Sequence, residues 1–260
     1  LFPGTPTPPP PDRGRGCVGG AGGITLLAAL WVTGAVPAFS ETAHVAVAAN
    51  FTAVAEQLAP LFEAATDHKL VLSFGATGQL FAQISQAAPF DVLLAADTAR
   101  PERAVADGLA VEGSVLVYAE GRLALYAPGH DAEATLSSGN FSRIAIADPD
   151  AAPYGRAAVE TLAALGLYDA IALRLVTGAN IAQTLQFVES GNAELGFVAA
   201  SQVLDKDGFW LVPEIYHSPI AQGAVLLNEG ADNPAALAFL EFLQSKEAVA
   251  VIEAAGYSVP

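Results

Sequence analysis

At four places in this chain a run of small and β-branched residues ends in a polar or glycine-rich turn that opens directly into helical spacing. That repeated junction constrains the fold more than any other feature. The four are Ala49-Asn50, Gly75-Ala76-Thr77-Gly78, Pro153-Tyr154-Gly155 and Gly178-Ala179-Asn180-Ile181. Strands that pass into helices in alternation build a parallel sheet covered by helices. Two of the junctions lie in each half of the chain, so the pattern predicts two such units.

The elements follow from periodicity. Residues 44–49 read as a buried strand, with Asn50 at an N-cap position. Val54, Leu58, Leu61, Phe62 and Ala65 then recur at helical spacing. Residues 70–73 and 91–95 read as the next strands; Leu80, Phe81 and Ile84 mark a helix face between them. A helix over 101–107 stops at Gly108, a favourable residue just past a helix end. The runs 115–119 and 123–127 form a crossing into a second unit. There, 144–147, 173–176 and 195–198 read as strands, and 153–165 and 181–190 as helices. Residues 224–227 are the return crossing, and helices over 234–243 and 246–255 finish the chain. The expected fold class is α/β. One lobe comprises 41–119 plus 222–260 and the other 120–221, with hinges near 118–122 and 222–225.

Residues 1–40 stand apart. A proline-rich start leads through Arg13 and Arg15 to an apolar stretch over 24–38, then to Ala38-Phe39-Ser40. A basic region, a short apolar run and a small-residue cleavage site are the layout of a secretory signal. The expectation is an extended leader with a signal peptide, a mature chain from near Glu41, and a periplasmic location. The apolar run is short for a membrane span. Cys17 precedes that run, which disfavours a lipoprotein anchor.

Composition narrows the function. The chain is 53% hydrophobic and 15% charged, enough apolar material for full cores and too much for disorder. A net charge of −16 argues against nucleic acid, whose phosphates need Lys and Arg neutralisation. Cys17 is the single cysteine, so neither an internal disulfide nor a cysteine zinc site is available. His44, His68, His130 and His217 are not spaced as a helical metal pair.

The four junctions are where chemistry can sit. Each helix start leaves N–H groups without intrahelical partners and carries the positive end of the helix dipole. Such ends bind anions without formal positive charge. In open α/β sheets ligands bind outside the carboxyl ends of the strands. If the two units face each other, four helix starts converge on one cleft, where Asn50, Thr77 and Tyr154 can each donate a side-chain hydrogen bond. Their bland alternative is helix capping and turn formation.

A set of ordered motifs then carries a resemblance. The pieces are 48–51 (AANF), 74–78 (FGATG) with Ala82-Gln83-Ile84, 88–92 (APFDV), 95–97 (AAD), 152–155 (APYG), 195–198 (LGFV) and 254–257 (AAGY). From about residue 43 to the end, the chain resembles the periplasmic molybdate-binding proteins of ABC importers. The resemblance implies the two-lobed periplasmic-binding-protein fold of type II. It implies molybdate, with tungstate, as ligand, no cofactor, a membrane permease as partner, and a monomer. It also implies oxyanion contacts from Asn50, Thr77 and Tyr154, from the backbone N–H of Ile181, and from Ala49. Many family members carry Ser or Thr just after the first strand, where this chain has Ala49-Asn50, and a serine pair where it has Ala76-Thr77.

The competing readings are weaker. The sequence lacks a Gly-x-Ser-x-Gly elbow, a P-loop lysine and His-Glu-x-x-His, so an enzyme has little support. A dinucleotide-like fingerprint over 14–19 falls in the signal region with no strand before it. Asp148-Pro149-Asp150 reads as a turn in preference to a catalytic carboxylate pair. Sulfate, thiosulfate or phosphate would use the same helix ends. The expected mechanism is closure of two lobes around the ion.

Overall fold

The structure is a computed structural model that describes residues 4, 6–10 and 40–260. Residues 11–39, on which the expected secretory signal falls, lie outside the described residues. Residues 4 and 6–10 are exposed and carry no regular secondary structure. Residues 40–260 form one compact unit.

That unit holds two five-stranded sheets. The first contains β1 (Thr42–Ala48), β2 (Lys69–Gly75), β3 (Val92–Leu94), β4 (Leu116–Gly121) and β10 (Ile220–Leu226), in the order β2-β1-β3-β10-β4. The second contains β5 (Leu123–Tyr126), β6 (Ile144–Ala147), β7 (Leu175–Gly178), β8 (Leu195–Ala199) and β9 (Phe209–Leu211), in the order β7-β6-β8-β5-β9. In each sheet the first three strands are parallel. In each, the fourth is antiparallel to its neighbours: β10 in the first, β5 in the second. Those two strands directly follow the crossings between sheets, so the same winding is used twice. This is the two-lobed periplasmic-binding-protein fold.

Helices cover both faces of each sheet. On the first, α1 (Thr52–Thr66), α8 (Pro234–Phe242) and α9 (Lys246–Ala254) bury Phe62, Phe239 and Ile252 against Val45 and Val47. The opposite face takes α2 (Thr77–Ser85) and α3 (Ala99–Ala106) through Leu80, Ile84 and Ala104. On the second sheet, α4 (Ala132–Ser138) and α5 (Pro153–Ala164) share a core with Leu125, Ile146 and Phe197. A short α6 (Tyr168–Ile171) follows α5, and α7 (Ile181–Glu189) covers the other face through Val188. Strands covered on both sides can be apolar at every position, which is why β8 and residues 45–48 of β1 lack polar alternation.

Three local expectations change. Asn50 is not an N-cap: residues Ala49–Phe51 form a 3₁₀ turn, and α1 begins at Thr52 without a side-chain cap. The strand expected at 173–176 starts at Leu175, because Ala172–Arg174 is a 3₁₀ turn that leaves Leu173 fully exposed. The return crossing starts at Ile220, earlier than expected.

Candidate oxyanion site

The carboxyl ends of β1, β2, β6 and β7 all point to the junction between the sheets, and each leads to a helix start. β2 leads to α2 through Ala76, whose extended backbone turns the chain. β7 leads to α7 through Asn180, whose side chain accepts from the Gln183 N–H at 3.0 Å and so caps the helix. β6 leads to α5 through residues 148–152, with Pro153 in the first turn, where its missing N–H costs nothing.

These starts enclose one small cavity. Its walls come from Ala48, Ala49 and Asn50, from Gly75, Ala76, Thr77 and Ala96, and from Ala152, Pro153, Tyr154 and Ile181. Every one is uncharged. The cavity is tight, with a volume of about 10 Å³. The structure thus brings all five sequence-predicted positions to one place: Ala49, Asn50, Thr77, Tyr154 and Ile181 are each at most 6% exposed. Ala48, Ala49, Ala76 and Ala96 of the first lobe share an apolar cluster with Ala152, Tyr154 and Ile181 of the second, so the lobes are closed on each other. The rim is shut as well, where the Gly78 N–H donates to the Ala151 carbonyl at 2.8 Å.

The side chains at these positions have different partners. Thr77 Oγ1 accepts from the Ala96 N–H at 3.0 Å, which fixes the hydroxyl and leaves its own proton to donate. Asn50 Nδ2 donates to Gln222 Oε1 at 2.9 Å and to Tyr257 Oη at 3.1 Å. Tyr154 Oη accepts from Gln222 Nε2 at 3.3 Å. The Asn50 and Tyr154 side chains therefore belong to a buried network at the hinge. Gln222 is central: its Oε1 also accepts from Tyr118 Oη at 2.9 Å. Tyr257 Oη donates to the Asn50 carbonyl at 2.8 Å and lies 2.9 Å from Ser201 Oγ of the other lobe.

Sequence reading did not single out Gln222, Tyr118, Tyr257 or Ser201 as members of a site. Gln222 did leave a signal: it is an amide inside an otherwise apolar strand run, and buried amides need partners. A wider crevice beside Asn50, between α1, α7 and residues 204–206, carries Glu56 and Asp205 on its walls, with Lys206, which is paired to Glu189 at 3.1 Å. Carboxylates there disfavour an anion, so the smaller uncharged cavity is the better anion site.

Burial raises the proton affinity of Tyr118 and Tyr154 well above the usual phenol range, and that of Tyr257 also rises. All three stay neutral at physiological pH. Below about pH 10 folded and unfolded chains are both protonated at these phenols, so their contribution to stability is complete. Above that pH the unfolded chain ionises first, and stability falls by up to about 1.4 kcal/mol per pH unit for each tyrosine. Urea midpoints measured from about pH 9 to about pH 12 should show this loss, and Tyr257→Phe should make it shallower. An equally steep loss in that variant would remove Tyr257 from the account.

Two pseudo-repeated lobes closed over an uncharged ring of helix starts define a solute-binding protein. Residues 43–258 match the family of bacterial extracellular solute-binding proteins, and the chain belongs to that family. It is 45% identical over 228 residues to the molybdate-binding protein ModA of Rhodobacter capsulatus, covering 86% of this chain and 90% of that one. It is 49% identical over 226 residues to the molybdate-binding protein ModA of Azotobacter vinelandii, covering 83% and 89%. Among solved structures it is similar to the Azotobacter vinelandii periplasmic molybdate-binding protein, with a TM-score of 0.80 at 36% identity over 84% of this chain and 99% of that one. The resemblance carried by the sequence motifs agrees with these relatives.

Proposed function

We propose that this protein captures molybdate, and tungstate with it, between its lobes outside the cytoplasm and delivers it to an ABC importer. The observation that carries the reading is the convergence of four helix starts, two from each lobe, on one uncharged cavity. Hydrogen bonds from N–H and O–H groups to a charged acceptor are roughly twice as strong as neutral ones. A closed, dry site magnifies them. An acidic protein can thus hold a dianion with no lysine or arginine in the cavity wall. The relatives named for molybdate support the choice of ion.

The role is binding and release, with no covalent step. The ion contacts both lobes and so favours the shut form over the open one. A membrane permease would read the closed shape of a monomer. Asn50, Thr77, Tyr154 and Ile181 would supply the donors, Thr77 through its hydroxyl and the others through the backbone. Ala49 would supply wall and its own N–H.

Calorimetric titration with molybdate, tungstate, sulfate and phosphate tests this reading. The expected result is tight one-to-one binding of the first two and little heat from the others. Preference for sulfate would move the protein to a different importer. No binding of any oxyanion would overturn the reading. Thr77→Val should raise Kd about tenfold or more, while Thr77→Ser, which keeps the hydroxyl, should stay near wild type. Unchanged affinity in the valine variant would remove Thr77 from the site.

A further inference from the structure

We propose that Arg100 is a strap that holds the lobes shut over the ion. The proposal rests on the binding function above and adds a residue outside the cavity wall. Arg100 lies in the first turn of α3 in the first lobe. Its Nη2 crosses the rim and donates to the Asp150 carbonyl of the second lobe at 3.0 Å. Next to it, Gly78 donates to the following carbonyl, that of Ala151. Two consecutive carbonyls of one lobe are therefore tied to two donors of the other. They belong to the turn that delivers the Tyr154 N–H to the cavity.

Both ends of the strap are rigid. Asp97 accepts the Arg100 backbone N–H at 3.0 Å through Oδ1 and the guanidinium Nη1 through Oδ2. Both side chains are largely buried, 17% exposed for Arg100 and 16% for Asp97. The Asp97 carbonyl in turn accepts from the Gly223 N–H at 3.1 Å. Gly223 follows Gln222 at a bulge in β10, so the strap is anchored on the hinge strand. On the far side, Asp148 locks the turn. Its carbonyl accepts from Ala151 and Ala152, and its Oδ1 accepts from the Asp150 N–H at 3.0 Å. This gives the Asp148-Pro149-Asp150 motif a role as a shaped acceptor.

Arg100 is also paired to Asp97, so it adds little long-range attraction for an incoming dianion. Its planar fork is what counts, because one nitrogen is held by Asp97 while the other bridges the lobes. A strap present only when the lobes are shut slows ligand escape and leaves capture alone.

Radiolabelled molybdate, chased with unlabelled ion, gives koff, and rapid mixing gives kon. Arg100→Ala is expected to raise koff about tenfold and to change kon less than about twofold. Arg100→Lys should raise koff nearly as much, since a lysine cannot serve both partners. The Tm of ligand-free Arg100→Lys, which keeps the ion pair with Asp97, should match wild type. Wild-type koff in the lysine variant would mean that charge alone matters, and a loss confined to kon would mean steering; either overturns the strap. A parallel fall in ligand-free Tm of the lysine variant would reduce Arg100 to a structural role. If the wild type binds no oxyanion, the binding function fails by itself, and small-angle scattering then judges the strap. A larger radius of gyration in Arg100→Ala supports it, and an equal radius overturns it.

Discussion

Replacing Gly155 by alanine is expected to destabilise the protein by at least about 3 kcal/mol and to weaken oxyanion binding at least about tenfold. Gly155 is in the first turn of α5, at the point where the helix leaves β6. A Cβ there would lie 2.2 Å from the Ala147 carbonyl oxygen and 2.7 Å from its carbonyl carbon. These are backbone atoms of β6, an interior strand of the second sheet, so no rotamer change relieves the clash. Alanine would improve helix propensity by about 1 kcal/mol, and overpacking of this kind outweighs it. The helix must shift outward, and the Tyr154 N–H, one residue earlier, shifts with it. For a chain of this size the loss corresponds to a fall of roughly 6–12 °C in Tm. Gly139→Ala is the comparison. That glycine has φ +66° and nothing near its would-be Cβ, so the cost is only the left-handed backbone, about 1 kcal/mol. Thermal unfolding and titration of both variants check the ordering. If Gly155→Ala loses no more than Gly139→Ala, the close helix–strand approach is not what sets this end of the cavity.

The sequence made the four junctions legible because each is local. A small or β-branched run, a turn and a helical stripe occupy about a dozen neighbouring residues, and the 2-1-3 winding of both sheets follows from that alternation. The cavity was legible for the same reason, since backbone N–H groups at helix starts depend on chain direction and not on distant side chains. What could not be read was where the side chains go. Asn50 reaches a partner 172 residues away in Gln222 and another 207 away in Tyr257. Tyr154 meets Gln222 across 68 residues. Spacing within one segment carries no trace of such pairings. Asn50 resembles a helix cap in sequence, and only the 3₁₀ turn over Ala49–Phe51 frees its amide to turn to the hinge. Edge strand β9 was missed because it has three residues, none of them fully buried. Arg100 was missed because a cation in α3 reads as a solvated helix residue until the second lobe is opposite it.

Gln222→Leu is the second substitution expected to have a large effect, about 3 kcal/mol of stability, and its meaning lies in how it combines with Tyr257→Phe. Gln222 is fully buried, and its amide is used at both ends: Nε2 donates to Tyr154, and Oε1 accepts from Asn50 and Tyr118. Leucine keeps the volume and removes all three. Tyr118 retains the Ala95 carbonyl at 3.3 Å, and one Asn50 N–H retains Tyr257. The other Asn50 N–H loses its partner while buried, at about 1–3 kcal/mol, and the Tyr154 hydroxyl loses its amide donor. Tyr257→Phe keeps the edge-on packing against Phe51 and removes the hydroxyl that grips Asn50 from the other side. The two substitutions act on one residue, so their costs should not add. In a double-mutant cycle the combined loss is expected to fall short of the sum by about 1 kcal/mol. The same non-additivity should appear in molybdate affinity, because Asn50 is where the hinge network and the cavity meet. Additive losses in both quantities would mean that Gln222 and Tyr257 support the hinge independently and that Asn50 does not link it to the ion.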